Sequence, residues 1–135
     1  MSSEYVLDME SKIYTLIKSR CYPELSKKYK TINFTTSDEV SENPQFPTVY
    51  ICESSSPEKD IDLIRVQVNS VLTVFDVKVT VDTDKQDVTK IMGYILNAFK
   101  NLRFELVAKS KVITDANMYY MTASFKRKFG SDDVI

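Results

Sequence analysis

The chain has 135 residues, a net charge of −1 and a hydrophobic content of 43 %. These values are typical of one folded domain, and they argue against a disordered chain or a protein that coats nucleic acid. Because the sequence has no histidine and only two glycines, it lacks the commonest general base, the commonest metal ligand and any glycine-rich phosphate loop. Composition alone therefore predicts a globular α+β protein and leaves its role open.

The two cysteines, Cys21 and Cys52, stand far apart and form no CxxC pair. Without histidine they cannot complete a usual zinc set, so we expect buried or half-buried free thiols in a reducing compartment. No segment approaches the roughly 20 apolar residues that span a bilayer, and the first residues lack the pattern of a secretory signal. We expect no metal, no cofactor and no membrane partner.

The first predicted element is an amphipathic helix. Apolar residues recur at three- and four-residue spacing from Tyr5 to Cys21, and Pro23 is expected to end the helix because proline cannot donate a backbone hydrogen bond. A short strand is predicted over 31–35 and a second strand over 48–52, with a polar loop between them.

An exposed loop or arm is predicted over 54–60, because this stretch has no apolar residue and contains Pro57. Alternation then predicts a strand over 64–68, and the apolar positions change face at Asn69-Ser70. A strand changes face only through a bulge or a turn. The second half, 71–81, is the strongest strand pattern in the chain.

The period changes from two to 3.6 after residue 83, which predicts a helix that reaches Leu102. Asp84 and Asp87 suit its N-terminus, where negative charge is stabilised. Together with Asp82 they resemble a carboxylate cluster, but the glycine and terminal glutamate of an EF-hand are missing. Helix capping is therefore favoured over calcium binding.

A closing hairpin is predicted from a strand over 104–113, a turn over 114–117 and a strand over 118–129. On the last strand the apolar residues share one face, opposite Thr122, Ser124, Lys126 and Lys128. That apolar set is Tyr119, Met121, Ala123, Phe125 and Phe129.

The predicted order is α-β-β-β-α-β-β, an α+β domain over 1–129 with a polar tail over 130–135. Two amphipathic helices can bury their stripes against one face of a mostly antiparallel sheet. Leu72, Val74 and Tyr120 fall on the other face, where a solvated sheet would be polar. We expect a partner to cover that face, although scattered exposed apolar residues are also ordinary.

Several of these elements together resemble the tail terminator (tail completion) proteins of tailed bacteriophages. The resemblance rests on the N-terminal helix, the strand FPTVYI over 46–51, the polar arm, the long strand VLTVFDVKVTV over 71–81, the helix over 91–102 and the hairpin around Tyr119-Tyr120-Met121. It covers roughly residues 4 to 129 and is a pattern of elements without a diagnostic motif.

Membership of that family implies a ring, commonly a hexamer, that caps the head-proximal end of the tail tube and stops its polymerisation. The partners implied are further copies of the chain, the tail tube protein and a head-completion or neck protein, with incidental contact to genomic DNA in the lumen. The chain would be made in the bacterial cytoplasm and end up in the virion. Such a role needs no catalytic residue.

Charge along the chain is uneven: residues 12–30 and 100–128 are mainly basic, and residues 38–62 are mainly acidic. Complementary patches on different sides allow head-to-tail association that can close a ring, although each block can also be a solvated face. The arm would contribute Ser54, Ser55, Glu58, Asp60 and Asp62, and the basic end of the hairpin would contribute Lys126, Arg127 and Lys128.

Two other classes of function stay open. One is another phage neck or tail component, such as a head-closure protein or a tail tube subunit, and the other is a cellular protein-binding adaptor. An enzyme is the least supported class, because the sequence marks no catalytic constellation.

Overall fold

The computed structural model describes residues 2–36, 46–54 and 70–130. Its elements, in chain order, are α1 (Ser2–Lys28), β1 (Asn33–Thr35), β2 (Thr48–Glu53), β3 (Ser70–Val81), α2 (Lys85–Asn101), β4 (Glu105–Lys109), β5 (Ile113–Asp115) and β6 (Met118–Gly130). The α+β class and the predicted order are confirmed, and the first strand of the closing hairpin is divided into β4 and β5.

All the described strands belong to one six-stranded sheet with the order β1-β2-β3-β6-β4, and β5 also pairs with β6. The β1–β2 pair is parallel and every other pair is antiparallel. β3 and β6 pair along their whole shared length, from Ser70 opposite Gly130 to Val81 opposite Tyr119. β3 occupies one edge of β6, so β4 and β5 share the other edge.

Both helices lie against one side of this sheet, which we call the covered face. α1 contributes Ile13, Ile17, Cys21 and Leu25. They share one side of the helix because they are spaced four residues apart. The strands contribute alternate residues: Val49, Ile51, Phe75, Val77, Val79, Val81, Met121, Ala123 and Phe125. The prediction that both helices pack on one sheet is therefore confirmed.

A cluster of phenylalanines forms one end of the core. The Phe99 ring of α2 stacks on the Phe125 ring of β6 with centroids 4.2 Å apart. Phe104 meets Phe99 edge-on at 5.1 Å and Phe75 edge-on at 5.8 Å. Such pairs contribute about 0.5–1.5 kcal/mol each beyond their area burial, so this cluster ties α2 to the middle strands.

The prediction that Pro23 ends the first helix is wrong, because α1 continues to Lys28. Proline has no N–H to donate to the carbonyl of Ser19. Both residues are exposed, so water can satisfy that carbonyl. The additional turn buries Leu25 in the core, and this burial offsets the lost hydrogen bond.

The two ends of α2 follow well-known local rules. Asp84 is the N-cap, and its carboxylate accepts a hydrogen bond from the backbone N–H of Asp87 at 2.9 Å, which confirms the capping prediction. At the other end the N–H of Phe104 donates to the carbonyl of Phe99 at 3.0 Å. Arg103 has a φ of 66° and takes the position that glycine usually holds in a Schellman motif.

The hairpin differs from its prediction in detail. The first strand ends at Lys109, and Ile113–Asp115 forms the separate strand β5. The turn has two residues, Ala116 and Asn117, with φ values of 48° and 69°, instead of four. Two positive φ angles match the right-handed twist of paired strands, which makes this short connection possible.

Other predicted features fall partly or wholly beyond the described residues. These are the polar loop over 37–45, most of the arm, the strand over 64–68 and the change of face at Asn69. β6 extends through Gly130, one residue past the expected domain limit, and residues 131–135 of the predicted tail also lie outside.

Candidate interaction surfaces

The predicted arm is described only at its first residue. Ser54 is half-buried directly after β2, and its backbone N–H donates to the carbonyl of Val74 at 2.8 Å. Ser55, Glu58, Asp60 and Asp62 lie outside the described residues. The structure therefore anchors the start of this segment to β3 through the backbone.

The predicted basic triplet does not form one patch. Lys126 and Lys128 are exposed and alternate with Arg127, so they project from the opposite side of β6. The ammonium Nζ of Lys126 lies 3.8 Å from a carboxylate oxygen of Glu105, and these side chains are 47 % and 75 % exposed. An ion pair this exposed contributes at most about 1 kcal/mol, so both lysines remain accessible to a partner.

Arg127 instead serves the fold. Its Nη1 donates to the carbonyl of Leu102 at 2.7 Å, where the unpaired carbonyls of α2 concentrate negative charge. A cation in this place satisfies a helix-end acceptor and stabilises the helix dipole. The alternation along β6 indicates this difference, because Arg127 lies on the same side of the strand as Phe125 and on the opposite side from Lys126.

The side of the sheet opposite the helices, which we call the open face, carries a mixture of aromatic, hydroxyl and charged groups. Its residues are Thr48, Tyr50, Cys52, Val74, Asp76, Lys78, Thr80, Tyr120, Thr122, Ser124, Lys126 and Lys128. Among the described elements, neither helix lies against it. Val74 and Tyr120 lie on this face as predicted, and the side chain of Leu72 is outside the described set.

Cross-strand contacts hold several open-face side chains in place. The ammonium of Lys78 on β3 lies 4.8 Å from the ring centroid of Tyr120 on β6. The hydroxyl of Ser124 donates to the carboxylate of Asp76 at 2.7 Å. Side chains that are already ordered lose less conformational entropy when a partner binds, so the open face is suited to protein docking.

A polar cluster joins the end of α1 to the start of α2. The hydroxyl of Tyr29 donates to one carboxylate oxygen of Asp87 at 3.0 Å, and the hydroxyl of Thr83 donates to the other. The hydrogen bond from Thr83, together with that from Tyr29, lowers the pKa of Asp87. Burial and the hydrogen bond to Asp87 raise the pKa of Tyr29 to about 12. Both shifts move away from neutrality, so this cluster fastens two helices together and is not arranged for proton transfer.

Neither cysteine forms a disulfide, and one is buried and the other half-buried, as predicted. Burial raises the pKa of Cys21 to about 11, and its Sγ donates to the carbonyl of Tyr94 at 3.6 Å. A thiol with this pKa stays protonated and is a poor nucleophile. Cys52 lies on the open face opposite Asp76.

Within 2–36, 46–54 and 70–130, no three potential metal-ligating side chains come together. None of the described helices combines the length and the apolar character that a membrane span requires. No protein-family model matches the chain, and a search of curated proteins finds no significant match.

Proposed function

We propose that the protein is a structural virion component, a ring-forming tail terminator that caps the head-proximal end of a phage tail tube. In this role it stops polymerisation of the tube and joins it to the neck. Its partners are further copies of itself, in a ring that we expect to be a hexamer, the tail tube protein and a head-completion or neck protein. The role requires neither an enzyme activity nor a cofactor.

The observation that carries the proposal is the one-sided sheet. Helices cover one face, while the described part of the other face presents Tyr50, Val74 and Tyr120 among ordered polar groups. A protein that acts by docking to several neighbours needs such a surface, and aromatic residues are enriched where proteins meet. The resemblance to tail terminators rests on the order of elements that the sequence patterns predict, and the described elements follow that order.

Charge supports association between unlike surfaces. Lys12, Lys18 and Arg20 are exposed on α1, and Lys126 and Lys128 are exposed on the open face. The acidic block, residues 38–62, lies between these two basic groups in the chain. Contacts between different surfaces generate rings when the rotation closes. Because Arg127 is engaged at the end of α2, the basic contact proposed for the hairpin is reduced to the two lysines.

The test of the function is control of tube length. Purified protein added to growing tail tubes should arrest them at a fixed length and appear only at one end by electron microscopy, and its mass in solution should correspond to a ring. Incorporation along the tube with continued growth would instead identify a tube subunit. A monomer at high concentration with no effect on growth would favour the adaptor alternative.

The basic contact has its own test, the pair Lys126→Glu with Lys128→Glu. We expect weaker ring formation with the difference shrinking as salt rises, since exposed charge contacts are screened. The matched control is Lys85→Glu with Lys90→Glu, which changes the net charge equally at exposed positions of α2 outside the two basic blocks. Equal ring formation by both double variants at every salt concentration would contradict the basic contact.

A further inference from the structure

We draw no further inference here: the strongest candidate, the exposed apolar outer edge of β4 with Leu106 and Val107, carries none because nothing in the described residues shows what covers it.

Discussion

The two faces of one sheet differ sharply in this molecule, although they are built from the same strands. Along β6, Met121, Ala123 and Phe125 on the covered face are 4 %, 3 % and 2 % exposed, while the residues between them are half-buried. The covered face packs against both helices, whereas the open face makes polar contacts within the sheet. Alternate residues of the same strands thus either join the core or remain on a face that neither described helix covers.

This division has an energetic consequence. Full burial of a large apolar side chain contributes about 1.5–3 kcal/mol, whereas a surface ion pair or a cation–π contact contributes about 1 kcal/mol or less. Substitutions on the covered face should therefore unfold the protein, and substitutions on the open face should alter partners without unfolding it.

The largest effect is expected for Phe99→Ala. Phe99 is fully buried and contacts the rings of Phe75, Phe104 and Phe125, so its removal leaves a cavity that costs about 3–5 kcal/mol in the free energy of unfolding. Denaturant titration followed by circular dichroism measures this loss of unfolding free energy. The control Tyr94→Ala removes a 48 % exposed aromatic ring from the same helix and should cost less than about 1 kcal/mol. Equal losses of stability in the two variants would contradict the expected difference between a buried and an exposed aromatic residue.

A neighbouring pair on β6 separates the two faces more directly. Arg127→Met removes the hydrogen bond to the carbonyl of Leu102 and the cation at the end of α2, which should cost about 1.5–2 kcal/mol. Lys128→Met changes the same charge on the open face and should alter the free energy of unfolding by less than about 0.5 kcal/mol. Chemical unfolding measures the free energy of unfolding of both variants. Similar losses in the two would show that Arg127 is not a structural residue.

A smaller effect is expected from the cation–π contact of the open face. Lys78→Met removes the ammonium that lies over the Tyr120 ring and should cost about 0.5–1 kcal/mol. Tyr120→Phe keeps the ring and should leave the thermal midpoint nearly unchanged. A loss of several kcal/mol from Lys78→Met would mean that the open face contributes to the core.

The smallest effect is confined to acid pH. Because the folded-state pKa of Asp87 is below its ordinary value of 3.8, its contribution to stability is present above that value and is lost as pH falls through the folded pKa. Asp87→Asn should therefore flatten the dependence of unfolding free energy on pH below about 4. Tyr29→Phe removes one of the two donors and should flatten it less. A slope identical to that of the wild type in both variants would contradict the proposed cluster.

Much of the fold follows from local pattern. The alternation of Phe75, Val77, Val79 and Val81 predicted the covered side of β3, and Asp84 marked the start of α2. A period is set by backbone geometry within a few residues, so it can be detected without knowing any distant partner. The same alternation placed Val74 and Tyr120 on the open face.

Pro23 and Arg127 show where local pattern fails. Proline predicts a helix end because of its own missing N–H, yet the burial of Leu25 in the core favours the continuation of α1. Three consecutive basic residues suggested a single patch, yet Arg127 meets a carbonyl 25 positions away in the chain. The exposed edge of β4 was not predicted either, because an edge exists only once the strand order is known.

The sequence by itself determined the type of each element and which side of it is apolar, because those properties depend on rotation per residue along the backbone. Only the tertiary structure decided which strands lie at the edges, which charge serves a helix end and which face remains uncovered. These depend on contacts between residues far apart in the chain, and the free energy of burying distant groups together can exceed any local preference.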